Sequence, residues 1–199
     1  SIRSIKNIGY KESNNIILNP VRPYIDSLDI IPPQDFDDYN HWYRFEEKLV
    51  PVSQEITKRE LGTDFETEGG TYLTIFSRGC PLGCAYCCNN KLNEIYKLEK
   101  KTFRIKGAEA MIKELEYIKN KMPFIKFIYI NDDNFLFAQE DNIRRFVHLY
   151  NEKIALPFKV SGTPNAITEK KSSIFLLLKS AGLREIHMGI QSGSQRVNK

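Results

Sequence analysis

From Thr71 onward the sequence alternates between β-rich runs and segments with helical apolar spacing, and this limits the folds open to it more than any other feature. "TYLTIF" reads as a strand. "FRIKGAEAMIKELEYIKNKM" places Met111, Ile112, Leu115 and Ile118 on one helical face. "PFIKFIYIN" is a second strand, and "EDNIRRFVHLYNEK" repeats the helical spacing through Ile143, Phe146, Val147 and Tyr150. "LPFKVSG" follows as a third strand. Thr168 is a plausible N-cap for "EKKSSIFLLLKSAG", with Gly182 as its C-terminal stop, and "EIHMGIQS" is a fourth strand. The order βαβαβαβ calls for an α/β fold, a parallel sheet with helices packed on it. Four such units are too few to close an eight-strand barrel, so the expected fold is an open or partial (β/α) barrel.

The first part, residues 1–70, lacks that periodicity. Prolines at 20, 23, 32 and 33 exclude long helices and favour extended or turn structure. An irregular Pro-rich arm is expected, then a polar linker in "REL" and "GTDFETEGG", with the core spanning 71–199. The chain begins without Met, its first Met is Met111, and it ends directly after a strand-like run. It reads as a piece of a longer polypeptide.

In a parallel α/β sheet, functional groups gather at the C-terminal strand ends. Here those ends read "SRGC", "NDDNF", "SGTPN" and "QSGS". The first opens "SRGCPLGCAYCCNN", which holds all four cysteines of the chain: Cys80, Cys84, Cys87 and Cys88. No apolar run is long enough to span a bilayer and no signal-peptide pattern is present, so the default compartment is the cytosol. Thiols stay reduced there and bind metal more readily than they pair. A net charge of +4 carried by scattered lysines gives no footprint for nucleic acid or a membrane surface.

Cys80, Cys84 and Cys87 are spaced Cys-x3-Cys-x2-Cys, and Gly79 and Gly83 relax the backbone between them. Iron–sulfur clusters are usually held by four thiolates, so three leave one iron with open coordination sites. Cys88 is adjacent to Cys87 and reads as a small buried residue rather than a fourth ligand. The rivals are an electron-transfer iron–sulfur protein, which wants a fourth close thiolate, and a zinc-stapled binding module. Zinc wants four ligands, commonly in two pairs, and His41, His148 and His187 do not supply the second pair at finger spacing.

Cys-x3-Cys-x-aromatic-Cys after a first strand, with Tyr86 as the aromatic, resembles the signature of the radical SAM superfamily. "SRGCPLGCAYCCN", "INDDNF" and "LKSAGLREIHMGIQSGSQRV" together resemble its cobalamin-associated branch, and "NPVRPYIDSLDIIPPQDFDDY" resembles the connector that follows a B12-binding domain there. The resemblance implies a 4Fe–4S cluster on Cys80, Cys84 and Cys87, with S-adenosylmethionine (SAM) chelated to the remaining iron. It implies reductive cleavage of SAM to methionine and a 5′-deoxyadenosyl radical. An electron donor of flavodoxin or ferredoxin type would serve that step, on an unidentified small-molecule or peptide substrate. Cobalamin, and with it B12-associated methyl transfer or rearrangement, is implied for the full-length protein only, because no Asp-x-His-x-x-Gly segment is present.

By the same resemblance Tyr86 would lie near the adenine, and Asp132 or Asp133 would hold the SAM amino group. Side chains alternate along a strand, so with Ile128 and Ile130 toward the helices, Tyr129, Asn131 and Asp133 point inward, which favours Asp133. The alternative is that both aspartates cap the next helix or are solvated. Gln191 and Ser192 would contact the ribose or methionine part of SAM, Ser161 would line the pocket, and His187 reads as a satisfied core histidine.

Overall fold

The computed structural model describes residues 1–36, 41–61, 69–96, 103–194 and 196. The acidic stretch around Asp37 and Asp38, and most of the expected linker at 62–68, lie outside the described residues. The elements in chain order are β1 (Gly9–Glu12), β2 (Asn15–Leu18), β3 (Trp42–Phe45), β4 (Lys48–Pro51), α1 (Gln54–Leu61), β5 (Gly70–Thr74) and β6 (Ser77–Arg78). They continue with α2 (Cys88–Ile95), β7 (Arg104–Ile105), α3 (Ala108–Lys121), β8 (Ile125–Ile130), α4 (Glu140–Lys153), β9 (Phe158–Gly162), α5 (Ser172–Ser180) and β10 (Leu183–Met188). Among the described residues no helix is long and apolar enough to cross a membrane.

Two compact units result, each built from two separate stretches of chain: Ser1–Ser27 with Gly79–Arg104, and Leu28–Arg78 with Ile105–Lys199. The larger unit contains a four-stranded parallel sheet in the order β10-β9-β8-β5. This is the α/β fold expected from the alternation, a partial barrel. The helical spacing is explained by burial: Met111, Ile112, Leu115 and Ile118 of α3 are almost fully buried, as are Ile143, Phe146, Val147 and Tyr150 of α4. They cover Tyr72 of β5, Ile128 and Ile130 of β8, and Phe158 and Val160 of β9. Phe146 is the hub, with ring centroids 5.7 Å from Phe135, 5.1 Å from Tyr150 and 6.2 Å from Phe158. Burying each such ring contributes roughly 1.5–3 kcal/mol.

The α5 segment starts at Thr168 as expected, but in two steps. Thr168 is the N-cap residue of a short 3₁₀ turn, Glu169–Lys171, without a side-chain cap bond, and the α-helix itself begins at Ser172. Gly182 adopts φ +106°, a left-handed conformation that glycine enters without a Cβ penalty, and it ends the segment as expected.

The arm is less irregular than its prolines suggest. It carries a hairpin β1–β2 in the smaller unit, and β3–β4 in the larger. In the second hairpin Phe45 pairs with Lys48 across Glu46 and Glu47, both at positive φ. That is the type I′ pattern, whose twist matches that of the strands. Arg59, Glu60 and Leu61, read as linker, close α1 instead. Residues 28–31 join the core of the larger unit. Leu28 is buried, Asp29 Oδ1 accepts from Gly107 N–H at 2.7 Å at the start of α3, and Ile31 O accepts from Lys106 Nζ at 3.2 Å.

Candidate functional site

The cysteine loop lies in the smaller unit. Gly79, at φ +82°, turns the chain into it. Cys87 N–H donates to Cys84 O at 3.0 Å, closing a tight turn, and Asn90 Nδ2 donates to the same carbonyl at 2.6 Å. Cys87 is the N-cap of α2, and Asn89 Nδ2 lies 3.6 Å from its Sγ. A thiol at a helix N-terminus with an amide donor beside it has a polar setting for a soft metal ligand. The buried Cys80 and the half-buried Cys84 and Cys87 complete a set of three soft donors. Cys88, the first residue of α2, is exposed rather than buried. Among the described residues no three His, Cys, Asp or Glu side chains converge closely enough to chelate one metal ion. Three thiolates suit an iron–sulfur cluster, which takes them at separate corners, and fall one short of the four ligands of a structural zinc site.

Tyr86 is exposed, and its hydroxyl is pushed above the ordinary phenol range, first by loss of water around it and then by the neighbouring Cys84. Two other aromatic side chains of this unit pack together. Arg104 stacks over Tyr24 at 3.6 Å and donates to Ile25 O, while Tyr24 meets Tyr96 edge-on at 5.6 Å.

In the larger unit the strand ends carry the remaining candidates. Asp132 is buried, and its Oδ1 accepts from the backbone N–H groups of Phe76 at 2.6 Å and Ser77 at 3.0 Å. Burial raises its carboxyl to about 6, and the two N–H donors pull it only partly back. Asp133 is exposed. Asn134 is buried and donates to Thr163 Oγ1 at 2.7 Å. Neither aspartate serves as N-cap of α4; that position is Gln139.

Gln191 is exposed and sits at φ +68°, with Ser192 N–H donating back to Ile190 O at 2.8 Å. This tight three-residue turn is costly for a residue with a Cβ. It folds the Gln191 amide over Gly189, where an added Cβ would meet Nε2 at 2.4 Å. A side chain at position 189 would displace the end of the glutamine.

The inward face of the sheet is more polar than the sequence suggested. Tyr129, Lys159 and Glu185 lie in one register row, and Ser161 and His187 in the next. Tyr129 OH is 3.0 Å from Ser161 Oγ, which donates to Asn131 Oδ1 at 3.0 Å. His187 is half-exposed rather than buried. Its Nε2 is 3.1 Å from Glu185 Oε2, and its ring meets Tyr129 edge-on at 5.4 Å. Lys159 Nζ lies over the Tyr129 ring at 4.7 Å. Period-two alternation places these residues on one face, but only the strand order, which the sequence does not state, brings them side by side.

A second buried group supports β5 from the helix side. Glu114 of α3 accepts from Tyr72 OH at 3.0 Å and Thr74 Oγ1 at 2.5 Å, and pairs with Lys106 Nζ at 2.7 Å. Glutamate at one helical position gives no sequence signal for this.

Comparisons with known proteins bear on the family of the chain. The family model for the radical SAM superfamily matches residues 74–199. A protein of Pyrococcus horikoshii described as an uncharacterized methyltransferase is 24% identical over 197 residues, covering 98% of this chain. The chain spans 36% of that relative's length. The parallel α/β sheet, the cysteine loop that follows its first strand and the family match lead to one assignment: the chain belongs to the radical SAM superfamily.

Proposed function

We propose that this chain is the SAM-cleaving part of a radical enzyme, in which Cys80, Cys84 and Cys87 hold a 4Fe–4S cluster. When bound, cluster and SAM together supply one-electron reductive cleavage of a carbon–sulfur bond, and the protein supplies binding and orientation. The observation that carries the reading is the Cys-x3-Cys-x2-Cys loop, with Cys84 and Cys87 joined by one turn at the start of α2, in a chain matched by the family model.

Position at the strand ends supports roles for the other residues. Asp133 is exposed at the end of β8 and offers an anionic partner to the SAM ammonium. Gln191 and Ser192 at the end of β10 offer amide and hydroxyl groups to the ribose or methionine part. Tyr86 offers a ring face to the adenine. Asp132 is less suited to a ligand, since one oxygen is committed to the backbone. A reduced flavodoxin or ferredoxin is the electron donor. In the full-length protein, methyl transfer is favoured by the name of the Pyrococcus relative, and a link to B12 rests on the likeness of the arm to a connector.

The test is anaerobic reconstitution with iron and sulfide, followed by elemental analysis and electron paramagnetic resonance of the reduced protein with and without SAM. Four irons per chain and a SAM-dependent change of signal are expected of a 4Fe–4S site open at one iron. Stoichiometric zinc, or a signal indifferent to SAM, would sink the reading.

A further inference from the structure

Phe76 and Ser77 stand immediately before Arg78 and Gly79, where the chain turns into the cysteine loop. Their backbone is clamped from two directions. Asp132 Oδ1, beyond the end of β8, accepts both N–H groups, at 2.6 and 3.0 Å. Phe76 O accepts from Lys106 N–H at 2.9 Å, at the entrance to α3. The Phe76 ring is fully buried. One carboxylate oxygen thus replaces the strand neighbour that these two amides lose where β5 ends and the β5–β8 ladder stops at Asn131 N–H to Thr74 O, 2.8 Å.

This arrangement is costly. Asp132 Oδ2 and Ser77 Oγ are both buried without a hydrogen-bond partner. A buried carboxylate with one unpartnered oxygen is a poor choice for stability alone. An asparagine would accept the same two bonds, and its amide could donate to the Ser77 hydroxyl.

We propose that Asp132 is a positioning residue for the cluster-binding loop: by gripping Phe76 and Ser77 it fixes the backbone three residues ahead of Cys80. The role rests on the reading of Cys80, Cys84 and Cys87 as cluster ligands. It does not require Asp132 to touch SAM, and its burial keeps it from doing so. Its effect is to hold the segment after β5 in one conformation, which lowers the ordering cost of the loop that follows it in the chain.

The experiment compares Asp132→Ala and Asp132→Asn with the unsubstituted full-length protein. One arm measures amide hydrogen exchange at Phe76 and Ser77; the other measures iron content and the SAM-dependent resonance signal after anaerobic reconstitution. Asp132→Ala should lose about 10- to 100-fold of protection at these two amides, the scale of a lost charge-assisted hydrogen bond, and should lose most bound iron. Asp132→Asn should keep protection within about threefold and keep its iron, because the acceptor is retained. Gly182→Ala, which lowers stability far from these amides in sequence, should keep its iron and so controls for stability alone. Iron content and SAM response in Asp132→Ala equal to those of the unsubstituted protein would overturn the role. So would loss of SAM response in Asp132→Asn with both amides still protected, since the charge would then act on the ligand directly. If the unsubstituted protein itself takes up no iron, the cluster reading fails and the positioning role falls with it.

Discussion

Replacing Glu114 by Ala offers the sharpest test of how the helix layer holds the first strand of the sheet. Glu114 gives Oε1 to Tyr72 OH and Thr74 Oγ1, and Oε2 to Lys106 Nζ at 2.7 Å. The Lys106 and Glu114 side chains are only 6% and 5% exposed, so solvent screens the pair little. Removing one partner of a buried pair costs roughly 3–5 kcal/mol, because the other charge is left stranded. Two features moderate that cost. Lys106 keeps a bond to Ile31 O at 3.2 Å, and a cavity of about 130 Å³ bordering Thr74, Lys106 and Glu114 leaves room for water. The lower end, about 3 kcal/mol, is therefore expected. Against a typical domain stability of about 5–15 kcal/mol the variant stays folded but weakened. Urea unfolding followed by circular dichroism should show the midpoint fall with the slope unchanged. The double variant Glu114→Leu, Lys106→Met removes both charges and should recover about 2 kcal/mol or more, since an apolar pair of similar volume is often no worse than the ions. A loss under about 1 kcal/mol in Glu114→Ala, or no recovery in the double variant, would refute the argument from a stranded charge.

Three further outcomes are expected. The Asp132 carboxyl titrates at about 6 in the fold against an ordinary 3.8, so its contribution to stability is complete below about pH 4 and is lost as pH rises through about 6. That difference is worth about 3 kcal/mol; Asp132→Asn should therefore be the more stable protein by up to that amount at pH 8 and gain nothing at pH 4, in unfolding measured at both. Gly182→Ala should cost about 1–2 kcal/mol, since alanine at φ +106° is strained and its Cβ would meet Leu156 O at 3.2 Å; thermal unfolding reads this directly. Phe146→Ala, at the centre of the aromatic cluster of Phe135, Tyr150 and Phe158, should cost about 3–5 kcal/mol in the same assay.

Legibility followed the range of the interactions. The helices α3 and α4 were readable because each buries residues spaced within its own sequence, from Met111 to Ile118 and from Ile143 to Tyr150. The family was readable from the cysteine loop because the motif is local, its cysteines lying within eight residues of one another, Cys80 to Cys87. The hairpin at Glu46 and Glu47 was hidden because type I′ turns are ordinarily marked by Asn-Gly, and two glutamates carry no such mark. Asp29 capping Gly107 joins residues 78 positions apart, and Asp132 gripping Phe76 joins residues 56 apart. No local pattern encodes either. The burial of Cys88 was misread because residue type suggests an interior place, whereas at the start of α2 it is exposed.

The central claim concerns three thiols acting as one site. Its most direct test is 5′-deoxyadenosine formation when anaerobically reconstituted full-length protein is reduced in the presence of SAM, measured by liquid chromatography and mass spectrometry. The nucleoside should form with the unsubstituted protein and with Cys88→Ala, and be absent when Cys80, Cys84 or Cys87 is replaced by Ala. Its absence from the iron-loaded unsubstituted protein, or its undiminished formation without any one of those three cysteines, would contradict the account.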